Sequence, residues 1–250
     1  MIDLTGKVAL VTEASRGVGK TIALRLAEAG ADIVLNYSSS QGDAEQTAES
    51  VAALGRQVAV VRADAGDANQ IAAMINFIRD SFGRLDILVS NAAVSESRPL
   101  LETTAEHFQQ AMTSNVRSLI SLVQAALPLL HSGDGRGKVI GLSNPGAEFA
   151  LPNLGLLGAT KAALESTIRQ LALELGPRGI NFNVVQSALI ETDGAGLKRI
   201  GSRCASHDLI GNRSLEATDV ANAVLFLASP LSDLIQGQTL VVDGGAAVAA

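Results

Sequence analysis

The chain has 250 residues, 47% of them hydrophobic, and a formal net charge of −6 at pH 7. Its length fits one large α/β domain, and its apolar fraction fills a substantial core, so a disordered chain is excluded. An acidic balance without any basic block argues against nucleic acid and anionic membrane surfaces as partners.

Only 3% of the residues are aromatic, with no Trp and a single Tyr, Tyr37, so the core is aliphatic. One cysteine, Cys204, excludes an intrachain disulfide and suits a reducing compartment. The opening segment MIDLTGKVAL lacks a basic region followed by a long apolar core, and no uncharged apolar run is long enough to span a membrane. A soluble, cytoplasmic protein is the expectation.

Short β-branched runs alternate with longer stretches of helical period along the whole chain. Strands are predicted near 7–12, 32–37, 57–62, 86–90, 137–143, 180–186 and 238–242. Helices are predicted near 17–30, 42–54, 67–82, 103–130, 155–176 and 216–229, with Gly30, Gly55, Gly83 and Gly176 placed as C-caps. Such alternation requires parallel strands joined by crossover helices on both faces. Residues 1–250 therefore read as one doubly wound parallel sheet, with no linker and no internal repeat. Residues 187–215 break the rhythm: they follow the sixth strand at the carboxyl edge, where open sheets of this kind bind ligands. They read either as a substrate lid or as a mobile surface loop.

The stretch VALVTEASRGVGKTIALRLAEAG, residues 8–30, has the strand, glycine-bearing turn and helix of a phosphate-binding unit. Alone it is a weak signal. GRLDILVSNAAV (83–94), TSNV (113–116), GATKAALESTIRQLALELGPRGINFNVV (158–185) and GQTLVVDGG (237–245) follow it in order. With these motifs the chain resembles the short-chain dehydrogenase/reductase family over essentially its whole length. It is nearest to members similar to bacterial enoyl-acyl-carrier-protein reductases.

The resemblance implies a Rossmann fold and a nicotinamide cofactor. Cofactor contacts are implied for Thr12, Ser15, Arg16, Gly17, Val18 and Gly19 in the loop, for Asn36 and Asp64 at strand ends, and for Asn91, Lys161, Ile190 and Thr192. The second strand ends in Asn36 and Ser38 with no acid to hold a ribose 2′-hydroxyl, while Arg16 can face a 2′-phosphate, so NADP(H) is the expected form. The family assembles as dimers of dimers. A homotetramer is expected here, with Leu119, Leu122, Ala126, Leu164 and Leu171 among the apolar positions available for subunit contact. An acyl-thioester or other small molecule is the implied substrate, and no metal is implied.

The sequence departs from the family at the places that carry chemistry. The family's loop reads Thr-Gly-x-x-x-Gly-x-Gly, whereas Glu13 stands at its first glycine. A carboxylate about 4 Å from a phosphate charge costs about 4 kcal/mol at an effective dielectric near 20, roughly three decades of affinity. Glu13 either points to solvent, swings out when cofactor enters, or fills the anion site itself beside Arg16.

Of the four catalytic positions, Asn115 and Lys161 match the family's Asn and Lys, but Asn144 stands at the Ser position and Leu157 at the Tyr position. Position 154, where the widened-spacing members carry Tyr, is also Leu. Ser143, Glu148, Asp193, Cys204 and His207 lie near the expected cleft and read more readily as ordinary strand-end or loop residues. His107 reads as a packing or surface residue. Ala93 and Ala188, at family glycine positions, narrow the cofactor slot.

Three functions fit these residues. One is an NADP(H)-dependent reductase of an enoyl or keto acyl-type substrate with a non-standard proton donor. Another is a re-purposed isomerase, lyase or cyclase. The third is a non-catalytic subunit or binding module.

Overall fold

The computed structural model describes residues 2–94, 96–130, 136–188, 190 and 213–248. Strands β1 (Val8–Val11), β2 (Asp32–Tyr37), β3 (Val58–Arg62), β4 (Ile87–Ser90), β5 (Gly137–Ser143), β6 (Ile180–Ser187) and β7 (Thr239–Val242) form one parallel sheet. Their order is β3-β2-β1-β4-β5-β6-β7. The connecting helices are α1 (Gly17–Glu28), α2 (Gln41–Ala53), α3 (Ala68–Phe82), α4 (Ala105–Met112), α5 (Ser118–Leu130), α6 (Gly155–Leu175) and α7 (Ala217–Ala228).

Successive strand residues point to opposite faces, so each strand feeds two cores. Ala9, Val11, Ile33, Leu35 and Val89 pack under α1 and α7, against Ile22, Leu26 and Val224. Val8, Leu10, Val34, Leu88 and Val139 pack on the other face under α3, α5 and α6, against Ile78, Leu122 and Ile168. Burying a Leu, Ile or Val side chain contributes roughly 1.5–3 kcal/mol, and these two layers hold the sheet rigid at its centre. The strand order reverses between β1 and β4, which opens a crevice beyond their carboxyl ends.

Two expectations are corrected. The single helix expected over 103–130 is two, separated by one π-helical turn at Thr113–Arg117 that contains Asn115. The apolar period continues through that turn, so it cannot show a change in hydrogen bonding. Gly176 does cap α6, in a right-handed conformation (φ −56°), and leads into a 3₁₀ turn that closes on left-handed Gly179 at φ 82°. Leu119, Leu122, Ala126 and Leu164 are at most 1% exposed and face the sheet of their own subunit. Leu173, Leu231, Leu234, Leu240 and Val241, by contrast, are among the exposed large apolar side chains.

Candidate active site

The ends of β1 and β4 are tied together at the mouth of the crevice. Thr12 is fully buried, and its hydroxyl accepts from the backbone N–H groups of Asn91 and Ala92, both at 2.9 Å. Asn91 Nδ2 donates in return to Thr12 O at 2.9 Å and Glu13 O at 3.3 Å. Gly19 sits against this knot: a Cβ there would lie 2.3 Å from Glu13 O and 2.6 Å from Asn91 Nδ2, so only glycine lets α1 approach. Ser15 is buried, and its carbonyl accepts from Thr47 Oγ1 on α2 at 3.0 Å. Val18 packs against the first core.

Glu13 adopts φ 50° and Gly17 φ 57°. The left-handed conformation costs a side-chain-bearing residue about 1 kcal/mol, which is the backbone reason for a glycine at position 13 in the family's loop. Much of the Glu13 side chain touches solvent, while its carboxyl lies inside the crevice mouth. Loss of solvation pushes that carboxyl's pKa up; the Ala93 backbone N–H and the charges of Arg16 and Lys161 pull it back down, and Asp64 adds to the rise. Its open face tempers the shift. Among the described residues no ion pair within 4.0 Å joins Glu13 to Arg16. The helix end beside it is bare: Arg16 at the N-cap makes no side-chain capping bond, and the first turn of α1 holds no acid. Its N–H groups remain available to an anion.

A cleft of about 210 Å³ continues from Glu13 past Asn36, Ser38, Asp64 and Ser114. Asp64 is exposed there, its Oδ1 accepting from Gly66 N at 2.7 Å. Asn36 is 1% exposed, and its amide is committed to the backbone, donating to Ala63 O at 2.9 Å and Val61 O at 3.4 Å. Among the described residues, Arg62 at this end donates through Nε to Ser38 O at 3.2 Å. Arg62 pairs with Tyr37 in the β2–β3 register, a placement that strand prediction could have supplied.

On α6, Lys161 is 5% exposed and donates from Nζ to Leu142 O at 2.7 Å. Desolvation lowers its pKa to about 8, against the opposing pull of Glu13 and Glu165. Glu165 is itself buried, one helical turn beyond Lys161, and accepts from Ser143 Oγ at 2.5 Å and Gln186 Nε2 at 3.5 Å. The i, i+4 spacing on a recognised helix was the available signal for this neighbour. Asn115 is 1% exposed; its Oδ1 accepts from Val94 N at 2.7 Å, and its Nδ2 donates to Val94 O at 3.0 Å and Thr160 Oγ1 at 2.9 Å. Lys161 and Asn115 thus converge through neighbouring residues of α6.

Asn144 and Leu157 also converge on this end of the sheet. Asn144 caps the short turn Pro145–Ala147, its Oδ1 accepting from Gly146 N at 2.9 Å. Leu157 is 5% exposed and lines a small cavity with Val94, Arg98, His107 and Gln110. His107 was expected merely to pack or face solvent. It does cap α4, accepting from Thr104 N at 3.2 Å, and it also touches Arg98 beside Leu157. Glu148 is exposed, and Ser143 is engaged by Glu165. Ile190 is packed against the first core. Thr192, Asp193, Cys204, His207 and most of the 187–215 segment lie outside the described residues.

The uncapped helix end, the glycine-dependent approach of α1 and the buried Lys161 fit a dinucleotide, with Glu13 the one misfit. Among the described residues no helix is long and apolar enough to cross a membrane.

Residues 13–247 match the family model described as enoyl-(acyl carrier protein) reductase. An uncharacterized oxidoreductase of Methylorubrum extorquens is 35% identical over 98% of this chain and 99% of its own length. The 1-cyclohexenylcarbonyl-CoA reductase of Streptomyces collinus is 34% identical, with 98% of this chain and 88% of that protein aligned. A solved short-chain dehydrogenase of Burkholderia cenocepacia, in complex with NADP, superposes with a TM-score of 0.88 at 34% identity, covering 98% of this chain and 99% of that one. Fold, motif order and full-length similarity agree: the chain belongs to the short-chain dehydrogenase/reductase family, among its enoyl-acyl-carrier-protein reductase-like members.

Proposed function

We propose that the protein is an NADP(H)-dependent reductase of an enoyl or keto acyl-type substrate, with a proton donor other than the family's tyrosine. One asymmetry carries this reading. The site retains parts that hold a dinucleotide, in the bare end of α1 and the buried Lys161, and has apolar Leu157 where a carbonyl-protonating acid would stand. That combination suits a conjugated enoyl thioester better than a ketone. Reduction at carbon leaves an enolate that water can protonate, whereas an alkoxide needs an acid at its oxygen. The Streptomyces relative, named for reduction of a conjugated acyl-CoA, supports the same choice.

When bound, the cofactor supplies a hydride. Lys161 makes one hydrogen bond among the described residues, to Leu142 O, which leaves donors for ribose hydroxyls. Arg62, bonded to Ser38 O, and Arg16, at the start of α1, are the cations offered to a 2′-phosphate. Asn115 holds the π-turn and the start of the β4–α4 loop in register with α6.

Glu13 favours a second reading. A carboxyl driven up and an amine driven down in one cleft form an acid–base pair, as a non-redox isomerase, lyase or cyclase requires. Calorimetric titration with NADPH separates the two. Micromolar binding, followed by enoyl-thioester-dependent loss of NADPH absorbance, is expected; no binding at millimolar cofactor would replace the reductase with the second reading. Assembly as a homotetramer is part of the proposal, with Leu173, Leu234 and the outer face of β7 as its apolar contacts. A monomer by light scattering at micromolar concentration would refute it.

A further inference from the structure

The cavity beside Leu157 holds donors that the family's chemistry does not use. It measures about 20 Å³, room for a single oxygen-sized group, with Leu156 and Leu157 among its apolar lining. Arg98 enters it from the β4–α4 loop, which is anchored to the approach to α6 by Arg98 N donating to Asn153 O at 2.8 Å. The guanidinium is held on two sides: Nη2 donates to Glu96 Oε2 at 2.5 Å, and Nη1 meets the His107 ring. Its Nε is buried and makes no hydrogen bond to the protein. A buried donor of this kind calls for an acceptor oxygen.

His107 braces the guanidinium: Arg98 Nη1 meets both ring nitrogens, and Nδ1 accepts from Thr104 N at 3.2 Å. An arginine is a poor proton donor but a good partner for a negatively charged oxygen. The pair stands next to Leu157.

We infer that Arg98, assisted by His107, is the oxyanion-stabilising residue of this site and takes the thioester oxygen of an enoyl substrate. The inference rests on the reductase reading above and deepens it. A bound dinucleotide would supply the hydride that forms the C–H bond at the β-carbon as the C=C π bond breaks. The electron pair moves onto the thioester oxygen facing Arg98. The α-carbon then takes a proton from water, and the C=O bond reforms; the substrate is reduced and the nicotinamide oxidised. Arg98 contributes charge and no proton, so Leu157 need not be replaced by another acid.

Arg98→Ala and Arg98→Lys separate this from a packing role. With crotonyl-CoA and NADPH, Arg98→Ala is expected to lose about 10²–10³ in kcat, the scale of one oxyanion donor, with Arg98→Lys intermediate and NADPH affinity held within about twofold. A second readout needs no turnover: the protein should bind acetoacetyl-CoA as its enolate, seen as the enolate ultraviolet band below the pH where the free thioester ionises. Arg98→Ala should abolish that band while melting at an unchanged temperature. An unchanged kcat and an unchanged band in folded Arg98→Ala would overturn the inference. A band retained in Arg98→Ala but lost in Lys161→Ala would overturn it by moving the oxygen to Lys161. If the unsubstituted protein binds no NADPH, the reductase reading fails, and the enolate band alone decides for or against Arg98.

Discussion

The two halves of the family's catalytic set have fared differently in this molecule. Asn115 and Lys161 are present, buried and bonded to backbone: Asn115 joins both polar groups of Val94 to Thr160, and Lys161 holds Leu142 O. At the positions the sequence resemblance sets against the family's Ser and Tyr, Asn144 caps a 3₁₀ turn and Leu157 is a buried apolar side chain. A residue whose polar atoms complete the fold is costly to lose whatever the chemistry, because the partners it abandons stay buried and unpaired. A hydroxyl that serves only the substrate has no such hold. Retention of Asn115 and Lys161 is therefore weak grounds for an unchanged reaction, and replacement of the other two is strong grounds for a changed one.

The largest expected effect breaks the comparison by rebuilding the lost half. Asn144→Ser with Leu157→Tyr should raise reduction of a β-ketoacyl thioester by about 10²–10⁴-fold, the contribution of a positioned acid, while enoyl reduction changes little. No gain in ketone reduction by a folded, NADPH-binding double variant would show that the cleft has lost more than its acid.

The kept half can be probed through pH. Lys161's folded pKa, about 8, is below its unfolded value, so the unfolded chain binds more protons between those two values. Its contribution to stability is full above pH 10.5 and is lost as pH falls through about 8, amounting to about 3 kcal/mol of differential at neutrality. Relative to the unsubstituted protein, Lys161→Met should be most stable near neutral pH and lose that advantage as pH rises toward 10, read from urea midpoints. A difference independent of pH would mean the amine is not desolvated.

Asn115→Leu sharpens the claim that the kept residues are structural. It strands Val94 N and O and removes the Thr160 bond, so a loss of about 2–3 kcal/mol in unfolding free energy is expected, with a lowered melting temperature. The smallest effect concerns Glu13. Glu13→Gln removes charge but keeps the side chain; because Glu13 is solvent-exposed, screening cuts the expected gain in NADPH affinity from roughly three decades to about tenfold, and Glu13→Gly should match it while raising stability by relieving the left-handed strain. In the unsubstituted protein the same charge makes NADPH affinity rise as pH falls and the Glu13 carboxyl takes up its proton. Equal affinities in all three proteins would mean the carboxylate swings clear.

Much of this was legible along the chain. Seven strands and the doubly wound sheet follow from two periodicities and a set of spaced motifs. These depend on neighbours a few residues apart. Other expectations failed at points where distant chain segments decide. Leu119, Leu122, Ala126 and Leu164 are apolar on any reading, but only the packed structure shows that they face their own sheet. The π-turn at Asn115 leaves the apolar rhythm intact, so nothing in the sequence marks it. His107 read as a packing or surface residue because order along the chain does not reveal that α4 and the start of α6 share one cavity.

By itself the sequence determined the family, the doubly wound parallel sheet and the apolar residue at 157. Only the tertiary structure decided what makes up the site around it: Arg98 and His107 beside Leu157, Glu165 beneath Lys161, and Glu13 at φ 50° over the bare end of α1. Periodic burial is written locally, residue by residue. The charge, desolvation and hydrogen-bond partners of a site are set by groups that meet only when the sheet brings its strand ends together.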